Sequence, residues 1–180
     1  AQILLTMSDL TERKRFLNIR NTMTTLLDWG VIPIINENDT VAVEEIKFGD
    51  NDNLAAMIAN AIEAELVINL TMTEGLFDRN PNISKDAKRI PIIHEITEEI
   101  EGAASAEGTA EGSGGMRSKV LAAKKVTVFG IPYIIAQGKK AGILKDIFSG
   151  KDTGTLFLPA RKPLNSRKYW IAFTLRSQGK

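Results

Sequence analysis

Apolar positions along this chain fall into short continuous runs that alternate with stretches of helical spacing. Residues 2–6 form a first strand-like run. Over residues 12–28, Phe16, Ile19, Met23, Leu26 and Leu27 recur at three- and four-residue intervals, the stripe of an amphipathic helix. Ser8 or Thr11 would cap it, and Gly30 would stop it. Val31–Ile35 reads as a buried strand and Val41–Phe48 as a hairpin-like excursion. An alanine-rich helix over Leu54–Ala64 then precedes a strand over Leu66–Leu70. Ile90–Ile93 is a weak element, followed by a short helix near Ile96. Residues 101–115, EGAASAEGTAEGSGG, offer no anchoring side chain and predict a mobile surface loop. The pattern ends with a helix from Met116 to Phe129 stopped by Gly130, a strand over Ile131–Ala136, a short helix over Ile143–Phe148 and a strand over Thr155–Leu158. Strand and helix in alternation, with continuously apolar strands, predict an α/β fold: an open, mostly parallel sheet with helices on both faces.

That fold gives the polar clusters their meaning, because open α/β sheets hold ligands at the carboxyl ends of their strands. Val31–Ile35 empties into Asn36, Glu37, Asn38 and Asp39, and a second cluster, Asp50, Asn51, Asp52 and Asn53, stands directly before a helix. One such cluster is ordinary turn and cap chemistry. Two, joined by a β-like segment, point to an active site. The segment TMTEGLFDRNP (Thr71–Pro81) leaves the strand ending at Leu70, again at a carboxyl end. SGGMRSK (Ser113–Lys119) leads two glycines into a helix, which offers free backbone N–H groups, the Ser118 hydroxyl and the Lys119 ammonium to a phosphate. It lacks the P-loop spacing, so in isolation a flexible loop entering a helix explains it better. Together the sites suit phosphoryl transfer, which needs positioning and charge neutralisation more than acid–base chemistry.

Composition narrows the chemistry. There is no cysteine, and His94 is the sole histidine, which excludes disulfide frameworks, thiolate metal sites and a Ser-His-Asp triad within these residues; no metal ligand set is predicted. A cysteine-free chain with no apolar run of membrane-spanning length fits a cytoplasmic protein with no membrane partner. At 180 residues and 43% hydrophobic, it can bury one good core. Ala1 lies within an apolar run, so the chain reads as an internal piece whose sheet lacks its first strands. The net charge of +1 hides an asymmetry: Arg161, Lys162, Arg167, Lys168, Arg176 and Lys180 form a basic tail without acids. With Tyr169, Trp170, Ile171 and Phe173 interleaved, the tail reads better as a linker packing on a neighbour than as an RNA contact.

INENDTV, then FGDNDNLAA, then a strand-end threonine with GLFDRNP, then SGGMRSKVLAA, in this order and spacing, closely resemble the bacterial glutamate 5-kinase branch of the amino acid kinase family. The resemblance extends from AQILLT to GTLF and on to Asn165–Ile171. It implies a three-layer sandwich in which residues 1–160 are the C-terminal part of the kinase domain and residues 161–180 a basic linker towards a PUA domain. It also implies ATP-dependent phosphorylation of the γ-carboxylate of L-glutamate to glutamyl 5-phosphate, the first step of proline biosynthesis, with Mg2+ accompanying the nucleotide, assembly as a dimer or tetramer, and proline as a feedback inhibitor. Carried over by position, Asp39 would bind the substrate α-amino group, with Asn51 and Asn36 as further glutamate ligands. Asp52 would organise the catalytic lysines, and Lys119 would stabilise the transferring phosphoryl group. Thr71, Met72, Ser113, Gly114, Gly115, Met116, Arg117, Ser118 and Lys119 would hold ATP. Two features depart from the family pattern: Met72 stands where an aspartate is usual, and the N-terminal Gly-rich loop with its phosphate-binding lysine is not in these residues, so this piece alone is expected to be inactive. A related kinase with another carboxylate acceptor, or a non-catalytic binding module, are the alternatives.

Overall fold

The computed structural model describes residues 1–41, 51–106 and 115–163. Its elements are β1 (Gln2–Leu5), α1 (Met7–Thr11), α2 (Arg13–Asp28), β2 (Ile34–Glu37), α3 (Asn51–Ala61), β3 (Val67–Thr71), β4 (Ile92–Ile93), α4 (Glu98–Ala106), α5 (Met116–Thr127), β5 (Tyr133–Gln137), α6 (Ile143–Phe148) and β6 (Thr155–Phe157). Among the described residues the strands form two sheets rather than one. β1 and β2 pair in parallel, Gln2 opposite Ile34. The second sheet has the order β3-β5-β6-β4, parallel between β3 and β5 and between β4 and β6, antiparallel between β5 and β6.

Helix α3 ties the two sheets together. Its Ala56 and Ala59 join the core built on Val120, Val126, Tyr133, Ile135 and Phe157, while its Leu54, Met57 and Ile58 join Leu5, Leu10 and Met23. Each fully buried side chain of this size is worth about 1.5–3 kcal/mol. A 420 Å3 cavity, lined by Ile35 of β2, Val67 and Ile68 of β3 and one side of α3, separates the sheets.

Several sequence expectations need correction. The helix expected over 12–28 is preceded by a separate helix, α1, with Glu12 extended between them (φ −82°, ψ 122°). The caps are therefore Thr6 and Glu12, not Ser8 or Thr11. The bend lets Leu10 and the Met23 stripe reach one core. Strand β2 begins at Ile34 rather than Val31, because Pro33 has no N–H to give the ladder, and it alternates in exposure, with Ile34 70% exposed. Residues 101–106 belong to α4, not to a loop: Glu98, Glu99 and Glu101 suit the positive end of the helix, and Ala104 is buried against α5. The excursion over residues 42–48, Asp50, and residues 164–180 of the basic tail lie outside the described residues.

Asp9 closes the start of α1 by accepting hydrogen bonds from the Thr6 N–H (2.8 Å) and hydroxyl (2.7 Å), with the Arg15 guanidinium 3.0 Å from its other oxygen. Partial burial raises its pKa, but these donors together outweigh burial and hold it below the usual aspartate value. A lowered folded-state pKa means stability present above the unfolded pKa and lost as pH falls through the folded one. Acid titration below the ordinary aspartate range should therefore loosen α1, and Asp9→Asn should flatten that part of the stability–pH curve. An unchanged curve would refute the role given to Asp9.

Candidate active site

Asp52 is the hub. Because α3 starts at Asn51, three residues before the sequence suggested, Asp52 sits in its first turn with the helix dipole in its favour. Its side chain is 12% exposed, and that of Lys119, in the first turn of α5, is 14% exposed. Lys119 Nζ lies 2.9 Å from Asp52 Oδ2. The Ser118 hydroxyl lies 2.7 Å from the same oxygen and 2.9 Å from the Gly115 carbonyl. Asn69 Nδ2 donates to Asp52 Oδ1 at 2.6 Å and to Tyr133 Oη at 2.6 Å. A neighbouring clamp joins the same two helices, Lys125 Nζ donating to Asn53 Oδ1.

Around this hub, Gly115 caps α5 in an extended conformation (φ −65°, ψ 179°), and no atom of the described residues lies within 4 Å of where a Cβ would stand. The opening turn of a helix leaves backbone N–H groups unpaired, so the entrance to α5 offers donors, open space and the Lys119 ammonium to an anion. Met116 is buried and Arg117 exposed. Ser113 and Gly114 lie outside the described residues.

At the carboxyl end of β3, the Thr71 carbonyl accepts from Gly138 N–H (2.8 Å), and the Met72 carbonyl accepts from Gln137 Nε2 (3.4 Å). The Met72 side chain is 64% exposed. Beside it the Thr73 hydroxyl is buried with no hydrogen-bond partner among the described residues. A polar 280 Å3 cavity opens here, lined by Glu74, Arg89, Gln137, Lys140, Asp152, Thr153 and Gly154. The orphaned hydroxyl and the open Gly115 position both fit a nucleotide. Among the described residues no group of three or more His, Cys, Asp or Glu could hold a metal ion.

The other predicted residues stand at the carboxyl end of β2 and on α3. Asn36 belongs to β2, Asp39 to the turn after it, and both are exposed. Asn51 is exposed and lines the cavity between the sheets beside Ile35. None of the three shares a side-chain hydrogen bond with another described residue. Sequence reasoning brought out Asp52, Ser118 and Lys119, which the structure brings together, but missed Asn69, Tyr133, Arg89 and Gln137. An asparagine within the apolar run VINL was the one available signal for Asn69.

The sequence profile of the amino acid kinase family matches residues 1–137. The chain belongs to the amino acid kinase family. Among curated relatives, it is 73% identical over 178 residues to a glutamate 5-kinase of Syntrophus aciditrophicus and 54% identical over 180 residues to one of Geobacter metallireducens. These alignments take in 99% and 100% of the chain but 46% and 48% of the relatives, so the chain spans about half their length. Solved kinase structures share the fold: carbamate kinase from Giardia lamblia bound to AMP-PNP aligns at a TM-score of 0.60 with 22% identity, covering 78% of this chain and 44% of that one. UMP kinase from Bacillus anthracis aligns at 0.55 with 17% identity, covering 77% of this chain and 50% of that one. Within the amino acid kinase family these likenesses establish the mostly parallel α/β architecture on which Asp52 and Lys119 meet. Among the described residues no helix is long and apolar enough to cross a membrane.

Proposed function

We propose that the full protein transfers the γ-phosphoryl group of ATP to the γ-carboxylate of L-glutamate, giving glutamyl 5-phosphate and ADP, the first step of proline biosynthesis. The observation that carries the reading is the Lys119–Asp52 pair at the entrance of α5, in a chain so closely similar to relatives named glutamate 5-kinase. A carboxylate oxygen of the acceptor attacks the γ-phosphorus, and the bond to the β,γ-bridging oxygen breaks. An ionised carboxylate has no proton to lose, so no general base is required, consistent with a site built without histidine. Lys119 neutralises charge on the transferring group, Asp52 sets its position, and the helix entrance at Gly115–Lys119 receives the phosphates. Thr71 and Met72, with Ser113 and Gly114, complete the nucleotide contacts. Mg2+ would arrive with the nucleotide and would supply charge neutralisation to its phosphates.

Asp39 is the ligand for the substrate ammonium, with Asn51 and Asn36 beside it. Its exposed carboxylate, at the turn after β2, supports this. Asp39→Asn should raise the glutamate KM about 10- to 100-fold, the range of a lost charge-assisted hydrogen bond, with the ATP KM little changed. An unaltered glutamate KM would remove Asp39 from the substrate site. Residues 1–160 act as part of the kinase domain and 161–180 as a linker, in a cytoplasmic homo-oligomer under proline feedback.

The test is an acyl-phosphate assay on the full-length protein with ATP and magnesium, trapping product with hydroxylamine while glutamate, acetylglutamate and aspartate are offered in parallel. Turnover with glutamate alone is expected. Turnover with a different acceptor would overturn the substrate, and none with any would overturn the catalytic reading.

A further inference from the structure

A half-buried asparagine in an otherwise apolar strand run needs a reason, because burying an amide without hydrogen bonds is costly. Asn69 lies in the middle of β3, opposite Ile135 of β5, in a stretch otherwise made of Val67, Ile68 and Leu70. Both of its amide protons are used, one on Asp52 Oδ1 and one on Tyr133 Oη, each at 2.6 Å. The orientation follows from chemistry: an ionised carboxylate only accepts, so the asparagine must turn its nitrogen towards it. Tyr133 is 1% exposed and its ring meets Phe157 edge to face, with centroids 6.0 Å apart and planes at 81°. The hydroxyl that receives Asn69 is therefore carried on an immobile ring.

The two oxygens of Asp52 thus have different partners. Oδ1 is taken by Asn69, while Oδ2 faces Lys119 and Ser118. A carboxylate held from one side only can rotate about its Cβ–Cγ bond; one held at both oxygens cannot. We propose that Asn69, anchored by Tyr133, is a positioning residue for phosphoryl transfer, fixing the rotation of the Asp52 carboxylate and through it the place of the Lys119 ammonium. The inference rests on the reading of this site as a phosphotransferase centre. It assigns Asn69 no contact with either substrate, so its loss acts on kcat rather than on KM. Pre-set geometry of this kind has large effects on rate for small displacements.

The experiment uses the full-length protein and the near-isosteric Asn69→Leu. Expected is a 10- to 100-fold fall in kcat with both KM values within about threefold of wild type. Asn69→Thr, which keeps a donor, should recover part of the loss, and Tyr133→Phe should give a smaller fall in the same direction. In an Asp52→Asn background, Asn69→Leu should cause no further fall, because its route to Lys119 is already cut. Wild-type kcat in Asn69→Leu, or an equal fall in both backgrounds, would overturn the proposal. A second readout needs no turnover: the rate at which acetic anhydride modifies Lys119, followed by mass spectrometry, should rise several-fold in Asn69→Leu and stay at the wild-type value if Asn69 is only a core filler. Should the unmutated protein phosphorylate no acceptor, the functional reading fails, and the acetylation rate still decides the role of Asn69.

Discussion

Lys119→Ala in the full-length protein should lower kcat about 1,000-fold, with the glutamate KM nearly unchanged. Charge on a transferring phosphoryl group grows towards the transition state, and removing one pre-placed cation or donor from such a centre costs about 10²–10³ in rate or more. Lys119 is placed for this by a short first turn, by its 2.9 Å contact with Asp52 and by its low exposure, which weakens competition from water. The proposed acceptor ligands Asp39 and Asn51 are carried by other elements, the turn after β2 and the start of α3, so on this proposal substrate binding has no direct dependence on Lys119. The substitution also leaves the Asp52 carboxylate nearly buried without its cation, and a modest fall in Tm should accompany the loss of turnover. Steady-state kinetics beside a thermal melt separate the two effects. A variant that turns over within a few-fold of wild type would end the assignment of Lys119 as the phosphoryl-stabilising group.

Gly154→Ala should destabilise the fold by about 3 kcal/mol or more, a Tm fall of about 6–12 °C for a chain of this size. Gly154 has φ +74°, and a Cβ there would stand 2.4 Å from the Ile135 carbonyl oxygen and 3.1 Å from Ala136 Cβ. Left-handed backbone costs a residue with a Cβ about 1–2 kcal/mol, and the clash with a backbone atom forces β5 and β6 apart where Ile135 faces Thr155. Those strands carry Tyr133 and Phe157, so activity should fall with stability. Gly150 is the control: its φ is +73°, yet nothing among the described residues lies within 4 Å of its Cβ position. Gly150→Ala should show the conformational cost alone. Equal melting shifts for the two variants would show that the contact with Ile135 is immaterial.

Much of the fold was legible because its signals are local. Gly-Gly before Met116 and Gly130 after the last turn bracket α5, and α6 was read at its observed limits. Two acid–amide clusters in succession singled out Asp52, and the Gly-Gly entry into α5 singled out Lys119, whereas one cluster alone would have been ordinary turn chemistry. What stayed hidden depends on distant partners. Nothing around Glu12 says that the chain must bend there; the bend serves a core that includes Leu54 and Ile58. The alanines of α4 looked like loop until α5 gave Ala104 a surface to bury against. Asn69 and Tyr133 lie 64 positions apart and meet only once β3 and β5 pair.

That same remoteness governs how the site comes into being. The Asp52–Lys119 pair closes a span of 67 residues, and the Asn69–Tyr133 bond one of 64. Contacts of such high order must overcome loop-closure entropy before they return any stabilisation, so domains built from them fold slowly. The proposed catalytic centre should therefore be among the last parts of the molecule to assemble during refolding, appearing after the local helices. A ligand that bridges α3 and α5 binds only the completed arrangement, and by mass action it draws the final step forward. The nucleotide would then serve the chain twice, first as the agent that completes its folding and afterwards as its substrate.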